Sequence, residues 1–429
     1  MYDSLTIAII VTAAIGGALI LAGFMVTRPR LAMGFWLATL VVVPFWFVIP
    51  GTTIPPATIA AVLVWPCVVR NRSKLAPFMS ASDGLLLYIV CLGGLATLLG
   101  TPRSAVIVLL VQWCTAYLVG RELGLICGVQ FTTDLLAVTG FAVALWAIAE
   151  YFLDLHVYEN TGQISRALGF WAEIQVRGGV ARSEAAFGHA IALGGFLALT
   201  IPFAMASSWK TLRIPMIFTI ALGAIVTLSR GPIISVLVTV LLSIAFVSGK
   251  SVSSTKRWAT VLTAGFAMVA GPILLSRFNV ASSELDSSTA YRENLWTELP
   301  SDVSILGQAS NMVTDRLGRS TYSGMVSIDS TPLLIGLDFG WMIILPMVVG
   351  VCFLIVRVLL RQGTSADIAL IGQIPTLLTV ALITQYGAAI WFMVGLALAF
   401  SRIQKVERGM QAHRVRNVEG VTSSAQARP

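Results

Sequence analysis

The sequence predicts an all-α, polytopic integral membrane protein with about 12 to 13 transmembrane helices and one large extracytoplasmic loop. Of the 429 residues, 57% are hydrophobic and only 11% are charged, and the mean hydropathy is +0.86. Soluble domains carry about 25% charged residues. Apolar runs long enough to cross a bilayer recur along the chain, and one long polar run, Arg277 to Asp338, lies between two of them. A soluble fold could not hide this much apolar surface.

A helix crosses the hydrocarbon core with about 20 apolar residues at 1.5 Å per residue. The first run has neither a basic n-region nor a cleavage site, so we expect it to be a span and not a signal peptide. Residues 1–401 then form one multi-pass domain, and the basic tail 402–429 is expected to be cytoplasmic and disordered. The predicted spans are Leu5–Thr27, Leu31–Pro50, Ala57–Val69, Gly84–Gly100, Ala105–Gly120, Phe131–Leu153, Gly188–Ser208, Ile214–Leu228, Pro232–Val247, Ala259–Leu275, Thr331–Val356, Ile368–Ile383 and Ala388–Phe400.

Basic residues predict the orientation. Alternating connections put most of the basic residues, including all five lysines, in short loops and a tail on one side, which is therefore cytoplasmic. The polar run is then extracytoplasmic, and the net charge of +8 needs no nucleic-acid partner. Every outer basic residue is an arginine, which reflects either an Arg-rich composition or an outer face that binds phosphate through guanidinium groups. The outer set is Arg103, Arg166, Arg177, Arg182, Arg230, Arg277, Arg292, Arg316 and Arg319.

Several patterns are absent from the sequence. It has no P-loop, no Asp-x-Asp pair, no His-Glu-x-x-His and no Gly-x-Ser-x-Gly. Its five cysteines and three histidines show no metal spacing, so we expect neither a metal nor a cofactor. The cytoplasmic loops are too short to fold into a nucleotide-binding domain. A transferase acting on the outer face would therefore take its donor from a lipid carrier.

Arg230 is the most informative single residue. It lies 17 residues after Arg213, about 25 Å of helix, which places it just inside the outer edge of a core about 30 Å thick. A charge at that depth indicates a functional site, although a snorkelling arginine would fit as well. Gly231-Pro232 then begins the next helix, whose free amides would add to an anion site.

Three further residues are candidates at the same side. Asp338 is a second charge inside a span, and we expect it to be paired, with Arg230 the natural partner. Asp329 lies just before that span, where it would act as a general base on an acceptor hydroxyl or as a helix cap. His189 begins the seventh span, as a supporting residue of the site or as a packed one.

The chain resembles the O-antigen ligase and polysaccharide polymerase superfamily of bacterial membrane glycosyltransferases. The resemblance lies in Thr227-Leu228-Ser229-Arg230-Gly231, in Ala186-Phe187-Gly188-His189, in Tyr291-Arg292 through Trp296 with Leu306-Gly307, and in Asp329 through Gly340. The last motif has Asp329-Ser330 where many members have His-Asn, while Asp338 and Gly340 keep the spacing, so ligation and polymerisation both stay open. The core of the resemblance covers residues 214–356, with the loop 277–330 inside it.

The resemblance implies a metal-independent transferase in the bacterial cytoplasmic (inner) membrane. Its donor would be an undecaprenyl-pyrophosphate-linked oligosaccharide, and its acceptor a glycan or glycolipid. Arg230 and Arg292, followed by Arg182 and Arg166, would hold the pyrophosphate, and Asp329 would be the base. The main alternative is a transporter or flippase of lipid-linked sugars, which would need ionisable groups near the bilayer midplane or an internal repeat. A binding or sensory protein would need an output domain that the sequence does not show.

Overall fold

A computed structural model describes residues 16–48, 53–73, 81–165, 168–177, 179–247, 253–260, 291, 293–314, 320–322, 325 and 328–426. The described chain is mostly α-helical, as predicted. The helices are α1 Gly16–Met25, α2 Pro29–Val42, α3 Pro56–Arg70, α4 Ala81–Ala96, α5 Arg103–Ile107, α6 Cys114–Cys127, α7 Val129–Leu153, α8 Ala190–Ala206, α9 Arg213–Ile225, α10 Arg230–Phe246, α11 residues 253–260, α12 residues 293–298, α13 Thr331–Phe339, α14 Trp341–Leu359, α15 Ser365–Gly372, α16 Ile374–Thr379 and α17 Thr384–Gln426.

Strands are few and short. β1 (Val176–Arg177) pairs antiparallel with β2 (Val180–Ala181) in the connection between α7 and α8. β3 (Met312–Thr314) pairs antiparallel with β4 (Ser320–Tyr322) in the large loop, with Val313 opposite Thr321. Both hairpins lie in connections predicted to be extracytoplasmic.

Four of the described helical segments are long and apolar enough to cross a membrane, and seven shorter ones are also apolar. The long ones are Arg103–Cys127, Val129–Leu153, Trp341–Leu359 and Thr384–Gln411. Residues 5–15 of the first predicted span and most of the tenth lie outside the described residues.

The fifth span runs further than predicted. We expected it to end at Gly120 with Arg121 in a loop, but α5 and α6 form one helix, joined through a π-helical segment, to Cys127. Arg121 lies inside this helix and is buried. Its guanidinium pairs with Asp83 at 2.8 Å and also contacts Glu122, and the Tyr117 hydroxyl donates to Asp83 at 2.8 Å. These partners compensate the buried charge, which a count of apolar residues cannot register.

Two predicted spans are broken. The eleventh divides into α13 and α14 at Gly340, whose φ is +88°. Backbone groups of the large loop replace the hydrogen bonds lost at the break: Trp341 N donates to Ser304 O at 2.9 Å, and Ala309 N donates to Leu337 O at 2.8 Å. A helix broken away from water is stable only where other groups form hydrogen bonds with the free N–H and C=O groups at the break.

The twelfth predicted span divides into α15 and α16, and from Val380 to Ile383 the chain is not helical. Pro375, in the first turn of α16, has no N–H with which to continue the preceding helix. The last helix, by contrast, is longer than expected. α17 runs past the predicted end at Phe400 to Gln426, where a disordered tail was expected, because residues 402–411 are largely strong helix formers.

The core has two parts. The larger one fills the helical bundle, where α6 and α17 approach closely because Gly120 and Gly395 lie against the partner backbone. The smaller one joins the large loop to α13 and consists of Leu295, Leu299, Ala309, Tyr322, Ile328, Leu333 and Leu337. The loop is thus packed onto the end of the bundle.

Contacts between connections define two ends of the bundle. At the end predicted to face outside, Trp46 donates to Thr161 at 2.9 Å, and Thr101 donates to the Asp338 carbonyl at 2.6 Å. At the opposite end, Ser208 donates to Asp134 at 2.7 Å. Each contact joins two residues, in connections or at the ends of predicted spans, that the alternating topology assigns to the same side. We call the first of these the outer end.

Candidate active site

A cavity of about 530 Å³ lies at the outer end. Four segments build its wall: the start of α5, the connection before α8, the strand-to-helix region before and within α13, and the non-helical stretch 380–383. Its polar lining residues include Asp329, Asp338, Tyr322 and His189, and its aromatic ones include Trp113 and Trp171. Three candidates from the sequence, Asp329, Asp338 and His189, therefore meet in one cavity.

Asp329 is half-buried and lines this cavity. The N-cap of α13 is Ser330, so Asp329 lies one residue before the capping position. Thr331 fixes this region by donating to the Val380 carbonyl at 2.6 Å. The Ser330 side chain makes no capping hydrogen bond, and the two roles predicted for Asp329, general base and helix cap, both stay predictions.

Asp338 has a different partner from the one expected. The Tyr322 hydroxyl donates to its carboxylate at 2.5 Å, and no ion pair joins Asp338 to Arg230 among the described residues. Burial raises the pKa of the Tyr322 phenol, and the charge of Asp338 raises it further, so Tyr322 stays protonated and donates. The pair with Arg230 was a wrong prediction, because the sequence could not show that the large loop folds back over α13.

His189 is the N-cap of α8, and its ring Nδ1 accepts a hydrogen bond from Ile191 N at 3.1 Å. Its ring lies edge-on to Trp171, with 6.0 Å between centroids. Burial lowers the pKa of His189 to about 4, and the charge of Arg182 lowers it further. His189 is therefore neutral at ordinary pH and serves two purposes, as a cap and as part of the cavity wall.

Arg182 is buried, and its guanidinium is engaged with the protein. Nε donates to Thr227 O at 2.9 Å, Nη1 donates to Gln175 at 2.8 Å, and Nη2 contacts the Ser229 hydroxyl. Burial lowers the pKa of Arg182 to about 10, which leaves it charged. These bonds make Arg182 a residue that positions the turn before Arg230. Direct contact of Arg182 with pyrophosphate stays a prediction.

Arg230 is the first residue of α10 and is half-buried. It is not among the described residues that line the cavity. It lies close to the cavity all the same, because Gly231 packs against Thr379 and the next residue, Val380, belongs to the cavity wall. Arg166 and Arg292, the other predicted pyrophosphate ligands, lie outside the described residues.

Sequence reasoning missed Glu150, which forms a cluster of buried acids with Glu184 beside Trp171 of the cavity wall. Glu150, near the end of α7, accepts hydrogen bonds from Glu184 N at 3.0 Å and Ala185 N at 2.8 Å, and contacts His156 at 3.1 Å. Burial raises the pKa of Glu184 to about 7. A space of about 10 Å³, enough for one water molecule, lies between these groups and Trp171. The sequence signal that could have found this cluster is Glu150, a glutamate inside an apolar run.

The site combines a negative cavity with a positive rim. The described cavity wall holds two carboxyl groups and a neutral histidine but no lysine or arginine, whereas Arg182 and Arg230 lie at the adjacent turn. Such an arrangement suits a hydroxyl-bearing ligand in the cavity and an anionic group at the turn. The described residues include no group of three or more His, Cys, Asp or Glu side chains placed to hold a metal ion.

No protein family, curated protein or solved structure matches this chain.

Proposed function

We propose that this chain is a membrane glycosyltransferase that moves a glycan from an undecaprenyl-pyrophosphate carrier to a sugar acceptor on the outer face of the bacterial cytoplasmic membrane. It would act as a polysaccharide polymerase or as an O-antigen ligase-like enzyme. The observation that carries the proposal is the cavity at the outer end, where Asp329 lines the wall beside the turn that bears Arg230.

Each part of the site has a task in this reaction. Asp329 accepts the proton of the attacking acceptor hydroxyl, whose oxygen forms the new bond to the anomeric carbon. The bond from that carbon to the carrier pyrophosphate breaks, and the electron pair leaves with the pyrophosphate. Arg230 and the amides at the start of α10 stabilise the negative charge that develops there. No metal takes part in this scheme.

The character of the cavity supports a lipid-linked donor. Apolar residues such as Val108, Ile335, Phe339 and Leu382 share its wall with the acids. The apolar part of the wall would contact the isoprenoid chain of the donor and the acids would face sugar hydroxyls, while the pyrophosphate would lie at the adjacent turn of Arg230. The helix breaks at Gly340 and after Thr379 open the bundle at this point without leaving it unsupported.

Two substitutions test the proposal. Arg230→Ala and Asp329→Asn should each lower glycan transfer by at least 100-fold, since each removes a group that acts in the transition state. The measurement is the length and amount of glycan on cells that carry the variant as the sole copy. Matched controls are Arg103→Ala and Glu298→Gln, which change exposed residues of the outer end and should leave transfer unchanged. Normal glycan in the Asp329→Asn variant would refute its role as the base.

A transporter of lipid-linked sugars is the second candidate, and the broken helices favour it, because discontinuous helices are common in transporters. The glycan of a deletion strain separates the candidates. Single repeat units indicate a lost polymerase, and polymer made but left unattached indicates a lost ligase. Lipid-linked units trapped on the inner face indicate a lost transporter and would refute the proposed reaction.

A further inference from the structure

Nδ1 is the ring nitrogen of His189 that is hydrogen-bonded to the described part of the protein. Nδ1 accepts the N–H of Ile191 at 3.1 Å, and a ring nitrogen that accepts carries no proton. The single proton of a neutral imidazole is therefore on Nε2. Burial, together with the nearby charge of Arg182, holds the pKa of His189 at about 4, so this tautomer persists at ordinary pH. His189 thus presents a fixed N–H donor, and it lines the cavity.

The groups around this donor indicate what it would bind. Asp329 and Asp338 are carboxyl groups of the same wall, and the described lining residues include no cation. A phosphate placed among them would be repelled by both carboxylates. A sugar hydroxyl, in contrast, accepts from an N–H donor and donates to a carboxylate. Trp171 and Trp113 add aromatic side chains to the same wall, a kind of surface on which sugar rings pack.

We propose that the cavity binds the uncharged acceptor sugar, and that the Nε2–H of His189 donates a hydrogen bond to one of its oxygen atoms. This rests on the proposed function and adds the ligand class of the cavity and the role of His189. The pyrophosphate of the donor is then held elsewhere, at the turn of Arg230. His189 does not act as the base, because its available nitrogen already carries a proton.

Two variants distinguish the contributions of the two ring nitrogens of His189. Asparagine places its side-chain oxygen close to the position of Nδ1 and is a good N-cap, so His189→Asn keeps the cap and removes the cavity donor. Glutamine reaches the position of Nε2 with its amide N–H, so His189→Gln keeps the donor and loses the cap. The cap affects stability, whereas the donor affects binding.

The probe is the mixture of neutral oligosaccharides released by mild acid from the lipid-linked pool of the host, with inorganic pyrophosphate as the comparison. The readout is the rise in Tm of the purified full-length protein in lipid nanodiscs. We expect the oligosaccharides to raise the Tm of the wild-type protein. His189→Asn should have the wild-type Tm without ligand and lose at least three-quarters of the rise. His189→Gln should start at a lower Tm and keep most of the rise.

Three results would overturn the inference: a full rise in His189→Asn, no rise in the wild-type protein, or a rise with pyrophosphate alone that His189→Asn loses. Its failure is distinguishable from that of the proposed function. If His189→Asn shows normal glycan transfer and normal oligosaccharide binding, only the role of His189 is refuted. If oligosaccharide binding depends on His189 but deletion of the protein leaves the cellular glycan unchanged, only the proposed transferase function is refuted.

Discussion

Two buried ionisable residues, Glu150 and Arg182, tie the connection before α8 to neighbouring segments. Glu150 accepts the N–H groups of Glu184 and Ala185, and Arg182 reaches across to the carbonyl of Thr227. Ala185 has a φ of +47°, a conformation that non-glycine residues adopt only where the surroundings enforce it. The same connection ends at His189 and faces the turn of Arg230. The buried contacts of Glu150 and Arg182 therefore set the geometry of this connection and of the turn that it faces.

Glu184 should make stability depend on pH. Burial raises its pKa from 4.5 to about 7 in the folded protein. Between these values the unfolded chain has lost the proton and the folded protein has kept it, so folding stability falls as pH rises from about 4.5 to about 7 and is level above that. The loss is on the order of 3 kcal/mol.

Unfolding of the wild-type protein and of Glu184→Gln at pH 5, 6, 7 and 8 measures this effect. The variant keeps an oxygen for Gln175 N and has no proton to lose, so its stability should vary less over this range. Glu150 and Arg182, whose charges act on Glu184, are unchanged in the variant, so the difference between the two slopes isolates Glu184. Equal slopes in the two proteins would show that Glu184 is ionised in the folded state.

At the scale of single residues, the sequence singled out three residues that line the cavity. Asp329, Asp338 and His189 stood out because polar groups at the end of an apolar run need a reason to be there. Tyr322 could not be singled out in the same way, because it lies in a stretch with many polar residues. Only the fold shows that Tyr322 reaches Asp338.

The helices around the cavity depart most from the pattern of the sequence. Hydropathy averaged over a window predicts one continuous span from Thr331 to Val356, and it cannot register a single glycine with positive φ. The break at Gly340 depends on Ser304 and Ala309 of the large loop, which lie about 30 or more positions earlier in the chain. An element that depends on distant backbone partners is not predictable from its own residues.

Gly340→Ala tests the importance of this break. A Cβ at this position would lie 2.8 Å from backbone atoms of Ile305 and Leu306, and its φ of +88° is unfavourable for alanine. We expect a loss of about 2 kcal/mol or more in stability, together with reduced glycan transfer. The matched control is Gly350→Ala in α14, where a Cβ meets nothing within 4 Å. The control should be neutral or stabilising by up to about 1 kcal/mol.

Thermal or denaturant unfolding of the two variants gives the comparison. Equal stability of Gly340→Ala and the wild-type protein would mean that the loop and the helix ends can rearrange around a side chain. The break would then be a tolerated feature and not a required one.

For the whole molecule, the bundle has two ends whose connections contact one another as an alternating topology requires. The cavity, the acid cluster and the turn of Arg230 all lie at one end. The ion pair between Arg357 and Asp367, at 3.1 Å, lies at the other. This division of the polar groups gathers the residues of the proposed chemistry at one end of the bundle.

Cysteine labelling tests that division. In a background whose five cysteines are replaced by alanine, Ser301→Cys in the large loop should react with a membrane-impermeant maleimide in intact cells. Gln362→Cys, between α14 and α15, should react only after the membrane is permeabilised. Both positions are exposed, so access depends on sidedness alone. The reverse pattern would invert the topology and move the cavity to the cytoplasmic side.

By itself, the sequence determined the helical class, the approximate position of most helices and the end of the bundle where polar groups gather. These follow from local composition, because apolar length and charge are read directly along the chain. The tertiary structure alone decided the partner of Asp338, the broken helices and the burial of Arg121 beside Asp83. Each of these depends on groups far apart in sequence, whose hydrogen bonds and charges are matched only once the chain has folded.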